Sequence, residues 1–287
     1  MNTTQFTIVA ALALLPGSMG TTPAAIPALD LREVAGLVAR IQRADYEGDR
    51  ATLKRLYDAL TPVLTPAGGI GHNNADDRLA SRVHYWRGFA LWRRAINGFN
   101  DSVDPKDLEA DLRHALGEFD EALSRDSKFA DASVGSIGAL QGLAFLYRND
   151  PVAIQEFIPR LVQLLKDGVT TAPDNPRFLW VYGGSQGYSP PGLSPTQVDE
   201  RRAKAIATYQ RGLELSRKQK NGAGDPLEPA WGEPELLMSL AWANLNRPQP
   251  DPRAAEEYAR QALALVPHWR YMRDILMPQI EKARVRP

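Results

Sequence analysis

With 287 residues, 44% of them apolar and 24% charged, the chain has enough apolar side chains to bury a substantial core, which excludes it from the disordered class. Lys plus Arg and Asp plus Glu balance at 34 each, and the formal net charge of zero leaves no broad attraction to nucleic acid or to an anionic membrane surface. With no cysteine, disulfides, thiolate metal sites and an acylated lipoprotein cysteine are excluded, so stability must come from packing.

The first twenty residues carry an apolar run from Phe6 to Leu15, broken by Pro16 and Gly17. That run is too short to span a bilayer and fits the apolar segment of a secretory signal, with Ser18 and Gly20 as small residues before a cut. Residues 1–20 are therefore expected to be a signal peptide and 21–29 an extended leader, which leaves no integral membrane segment in the mature chain and places it in the periplasm or outside the cell. The segment before the run has no Lys or Arg, an atypical feature for a signal.

From residue 30 onward the apolar spacing is helical. Leu31, Val34, Val38 and Ile41 predict a helix over about 30–44 with Asp30 as N-cap, and Leu53, Leu56, Tyr57 and Leu60 predict a second over 50–60, stopped by Pro62. A Pro/Gly/Asn-rich connection follows at 61–77. Further pairs are predicted at 78–97 with 107–125, at 130–147 with 151–167 (Asp150 as cap, Pro151 as first helical residue), and at 176–187 with 196–217. The last pair covers 233–246 and 251–265, and a closing helix runs near 270–284. No stretch alternates as a strand does, so the expected class is all-α.

Offsets of four and three recur in the second helix of three pairs, small, bulky, small in Ala115, Phe119, Ala122 and in Ala205, Tyr209, Gly212, and all small in Ala255, Ala259, Ala262, with Pro267 after the last. First helices carry Trp86, Phe89, Ala90; Leu179, Tyr182, Gly183; and Leu237, Leu240, Ala241. This constellation resembles the tetratricopeptide repeat over roughly 80–284 and more loosely over 30–60. The run Asn175, Pro176, Arg177, a first helix, a proline-rich insertion and Ala205 to Leu215 is similar to a group of bacterial exported tetratricopeptide-like proteins that carry no assigned reaction, although their common insertion is Gly-Gly-rich where this chain has SPPGLSP. The chain departs from the pattern at Ser127, at the lengthened connections 98–107 and 189–197, and at Ser133, Ser136 and Ile137.

The resemblance implies that 30–287 is a right-handed superhelical solenoid of stacked helical hairpins, whose first helices line a concave face. Side chains expected to face that groove are His84, Arg87, Leu91 and Arg94, then Arg177 and Trp180, then Glu235, Met238, Trp242 and Leu245. Of these, Arg87, Arg94, Arg177, Trp180, Met238 and Trp242 are the candidate binding residues, because arginines and large apolar anchors grip an extended peptide or helix. Each has a plainer reading: a tryptophan fills space between hairpins and an arginine neutralises a nearby carboxylate. Trp86 and Phe89 fall at packing positions and are expected in the core.

Chemistry is thinly represented. His72, His84, His114 and His268 form no zinc-protease spacing, and two imidazoles on successive elements, such as His84 and His114, do not make a metal site. The glycines of AGGIG at 67–71 lack the Lys and Ser/Thr of a phosphate loop. Gly183, Gly184, Ser185, Gln186 and Gly187 match Gly-x-Ser-x-Gly but sit in a helical repeat rather than after a strand. No catalytic residue, metal or cofactor is expected. The leading expectation is an extracytoplasmic protein-interaction scaffold with a protein or peptide partner, or a second copy of itself, in the groove. The alternative is a small-molecule or metal-binding accessory protein of an envelope transport system.

Overall fold

A computed structural model of the chain describes residues 31–64, 74–219 and 224–285. The expected signal peptide and leader, the Asp30 cap and the His72 and AGGIG features lie outside the described residues.

The described residues are helical, with no strand among them. In chain order the helices are α1 (Leu31–Glu47), α2 (Arg50–Ala59), α3 (Asn74–Phe99), α4 (Pro105–Arg125), α5 (Ala130–Leu146), α6 (Ile158–Thr171), α7 (Pro176–Gly187), α8 (Pro195–Lys218), α9 (Glu233–Leu245), α10 (Pro252–Leu265) and α11 (Met277–Val285). Four of them begin with a polar cap followed by proline. Asp104, Asn175, Ser194 and Asp251 each accept a hydrogen bond from a backbone amide of the first turn, and Pro105, Pro176, Pro195 and Pro252 occupy a position where a missing N–H costs nothing. Ser194 and Gln197 complete a reciprocal capping box.

The same signal misleads at Asp150 and Pro151. Asp150 Oδ1 does accept from the amides of Val152 and Ala153, but it caps only a short 3-10 turn, Ala153–Glu156. The helix proper starts at Ile158, because the chain first turns inward to bury Phe157 in a stacked contact with Tyr147, ring centroids 5.7 Å apart. Near the C-terminus the expected single helix is preceded by a wide turn, Met272–Leu276, with i→i+5 geometry. Pro278 follows at once, and the wider turn relieves the clash its ring would make with the preceding turn.

Neighbouring helices pack in sequence, and α3, α5, α7 and α9 also touch one another in that order, with α1 against α3. The helices differ in what they bury. Helix α1 is apolar on one stripe, Val34, Val38, Ile41 and Ala44, and α10 on another, Ala255, Ala259 and Ala262. By contrast α5 buries Ala132, Val134, Ile137, Leu140 and Leu143, positions that run around the helix. Such a helix belongs inside, with neighbours on several sides.

Close approach comes from missing side chains. The Phe119 ring lies where a Cβ on Gly88 or Gly135 would stand; Trp92 lies over Gly138, Phe178 over Gly168 and Tyr209 over Gly183. The irregular register at Ser133, Ser136 and Ile137 is thereby accounted for, since the small residues that admit rings into α5 are Gly135 and Gly138. Trp86 and Phe89 are buried, as their spacing indicates.

Distant parts of the described chain meet. The Tyr46 hydroxyl at the end of α1 donates to Glu235 Oε1 in α9 at 2.8 Å, the Tyr46 ring meets Trp269 edge-on at 5.0 Å, and Arg270 forms a forked ion pair with Asp101 after α3.

Gly138→Ala should cost about 1–3 kcal/mol by driving a methyl into Trp92. Gly117→Ala, on an exposed face of α4 where a Cβ meets nothing within 4 Å, should instead stabilise by up to about 1 kcal/mol. Urea unfolding of both variants checks the pair, and equal effects would contradict the packing described.

Candidate functional site

A cavity of about 420 Å³ opens between the helices that touch in series. Its walls are set by helical spacing. On α5, Gly138, Gln141, Gly142 and Phe145 recur at three- and four-residue intervals and form one side. Helix α3 supplies Trp92, Arg93, Ile96 and Asn97, α9 supplies Met238, Ser239 and Trp242, and Trp180, Tyr209, Trp269 and Tyr271 close the remainder. Glycine at 138 and 142 keeps the α5 wall low.

Aromatic geometry fixes the walls. Trp92 and Trp180 lie 5.9 Å apart, Trp231 meets Trp180 edge-on at 5.6 Å behind them, and the Trp180 indole N–H donates to Ser239 Oγ at 2.8 Å. At the mouth Trp242 is 38% exposed with the Arg202 guanidinium 4.5 Å over its ring, and Phe145 is 51% exposed and edge-on to Phe99. Burial pushes the Tyr209 hydroxyl up to about 12, so it stays a neutral donor.

Beneath the pocket lies a buried polar group. Arg93 donates through Nε to Asp45 Oδ2 at 2.8 Å, and Asn97 Nδ2 holds the same residue through its carbonyl and Oδ1 at 3.1 and 3.0 Å. Asp45, Arg93 and Glu235 are 2%, 5% and 1% exposed. Burial pushes the Glu235 carboxyl above its usual range, with the Arg93 charge and the Tyr46 hydroxyl pulling the other way. Its second oxygen, Oε2, has no hydrogen-bond partner among the described residues.

Of the six candidate residues, Trp180, Met238 and Trp242 are brought together in this pocket. The three arginines are not. Arg87 is buried, paired through Nε and Nη2 with Glu118 at 2.9 and 2.8 Å, bonded to the Tyr57 carbonyl and the Thr61 hydroxyl, and stacked 4.0 Å over the Tyr57 ring. Arg94 pairs with Asp111 of α4 at 2.5 Å. Arg177 is buried in a two-point pair with Asp131, 2.5 and 3.2 Å, and donates to the Trp231 carbonyl at 3.1 Å. The expectation of an open groove is corrected for Arg87 and Arg177, which carboxylates on neighbouring helices hold inside, while Arg94, its side chain 24% exposed, turns to Asp111 and does not line this pocket. Leu91 and Glu235 are also buried, Leu245 is half-buried, and His84 Nδ1 meets Glu118 Oε2 at 2.8 Å rather than another imidazole.

The inner face of α3 is covered by the chain itself. In the segment before α9, the Leu227 carbonyl accepts from the Trp86 indole at 2.7 Å, the Trp231 indole donates to the Tyr85 hydroxyl at 2.8 Å, and Glu228 pairs with Arg78 and Arg82. Sequence reasoning missed this cover, and it missed Arg93, Asn97 and Gln141 in the pocket. The available signals were Leu227 and Trp231 inside an otherwise loop-like stretch, and the rotation of about 100° between successive residues that separates Arg93 from Arg94.

Ser185 sits in α7 with its hydroxyl accepting from Gln141 Nε2 at 2.8 Å. Among the described residues no cluster of three or more His, Asp or Glu could hold a metal ion, and no helix is long and apolar enough to cross a membrane.

Because the folded Glu235 carboxyl is raised, ionising it opposes folding above its ordinary value of 4.5. The stability of Glu235→Gln relative to the native protein should therefore increase as pH rises from 4.5 and level off once native Glu235 is ionised. Thermal melts from pH 4 to 8 check the sign; a gap that does not change with pH contradicts it. Among known proteins, no family model matches the chain and no curated protein is significantly similar to it.

Proposed function

We propose that this chain is an exported, non-catalytic binding protein built from tetratricopeptide-like hairpins, and that its ligand is a small molecule with a flat apolar body. The observation that carries the reading is the tryptophan-walled cavity between α3, α5, α7 and α9. Its volume of about 420 Å³ falls within the range of sites that enclose small ligands, and its walls combine aromatic surface with a few polar groups. Export rests on the apolar run Phe6–Leu15 and places the protein in the periplasm or outside the cell. A solenoid arrangement is supported by the serial contacts of α3, α5, α7 and α9.

A protein partner is the second reading, and one observation favours it. A further apolar groove of about 470 Å³ runs between α5, α6 and α7 and shares Gln141 and Phe145 with the pocket. Beside it Phe145, Val162 and Tyr188 are each more than half exposed. Exposed apolar surface of that kind marks interaction sites.

Naphthalene-2-carboxamide, a neutral flat probe, should bind the native protein saturably at one site by calorimetry. Trp242→Ala should weaken it at least tenfold, about 1.4 kcal/mol, with helicity by circular dichroism unchanged. No saturable binding of this probe would overturn the small-ligand reading. Capture of an envelope protein that is lost in Val162→Glu but kept in Trp242→Ala would favour the groove.

A further inference from the structure

We propose that the ligand of the aromatic pocket carries a carboxylate, and that this carboxylate docks on the guanidinium of Arg93. The inference rests on the small-ligand reading and adds the polar chemistry of the ligand.

Arg93 is the one charged side chain among the described residues lining the cavity. Its guanidinium carbon lies 5.6 Å from the Trp92 ring and 5.8 Å from the Trp180 ring, so the charge stands between two of the walls. A guanidinium has five N–H donors, and the hydrogen bond Arg93 makes among the described residues uses one of them, Nε to Asp45. Asp45 is itself held in place by Asn97 through Oδ1 and the backbone carbonyl, so it is not free to swing round to the terminal nitrogens. The Nη pair is the edge of the fork that matches a planar carboxylate in two parallel hydrogen bonds.

One further polar group agrees in sign. The Trp92 indole N–H is buried without a hydrogen-bond partner among the described residues. A site with an unspent donor is completed by a ligand that brings an acceptor. An ammonium ligand is disfavoured despite the aromatic walls. It would lie against the guanidinium, while Asp45 is already paired and Glu235, whose Oε1 holds Tyr46, lies outside the lining.

The test uses three probes of one shape on the full-length native protein: naphthalene-2-carboxylate, naphthalene-2-carboxamide and 2-naphthylmethylammonium, titrated by calorimetry at pH 7. The carboxylate should bind at least tenfold tighter than the amide, and the ammonium weaker than both. Arg93→Gln alone leaves Asp45 buried and unpaired, so the variant to compare is the double substitution Asp45→Asn with Arg93→Gln, which removes both charges together. It should lose the preference for the carboxylate over the amide. Equal affinity for carboxylate and amide, a preference for the ammonium, or a carboxylate advantage that survives the double substitution would each overturn the Arg93 assignment while amide binding leaves the pocket standing. If none of the three probes binds, the pocket reading itself fails and takes this assignment with it. The comparison of probes on the native protein decides the matter even where the double variant does not fold.

Discussion

The fold depends on aromatic rings lying directly on helix backbone. Phe119 occupies the space that side chains on Gly88 and Gly135 would fill, and Trp92 does the same over Gly138. Each such contact brings two helices closer than a pair of ordinary side chains allows, and together they draw α3 and α5 into one layer with α4 behind. The pocket is a by-product of this arrangement. Where Trp92 rests on Gly138, the next glycine on that face, Gly142, meets Leu112 of α4, and the space beside it stays open between Trp92, Trp180 and Trp242.

Charge buried in that layer is paired across helices. Asp45 holds Arg93, Glu118 holds Arg87, and Asp131 holds Arg177, each joining different helices. Breaking such a pair by removing one partner typically costs about 3–5 kcal/mol, because the remaining charge is stranded away from water. The pairs therefore tie α1 to α3, α3 to α4, and α5 to α7 in one relative placement. Arg93 differs from the other two in that only its Nε is paired among the described residues, while the same side chain also lines the cavity.

Much of the fold is legible in the sequence because its signals are local. Helix starts at Asp104, Asn175, Ser194 and Asp251 follow from a cap and a proline one residue apart, and the cores of α4, α8 and α10 follow from a four-and-three spacing within one helix. The site is only half legible because it depends on rotation and on distant partners. Trp180, Met238 and Trp242 face inward by spacing alone. Arg94 was favoured over Arg93, yet one residue of helix rotation sends Arg94 toward Asp111 of α4 and Arg93 into the cavity. Arg87 and Arg177 read as groove residues until the acids that hold them, 31 and 46 positions away, are brought alongside by folding. The start of α6 is misread for a related reason: burial of Phe157, a tertiary demand, outweighs the local cap at Asp150.

The segment from Leu227 to Trp231 lies along α3, and Tyr46 reaches Glu235 across 189 positions of sequence. An open row of hairpins in which each touches only its neighbours can fray from either end and fold piece by piece. Here the first and last hairpins share contacts, so neither end can loosen without exposing part of α3. Long-range closure of this kind slows the search for the native state and makes loss of structure a joint event. Helices α1 and α10 should therefore exchange their amides with solvent nearly as slowly as the helices between them.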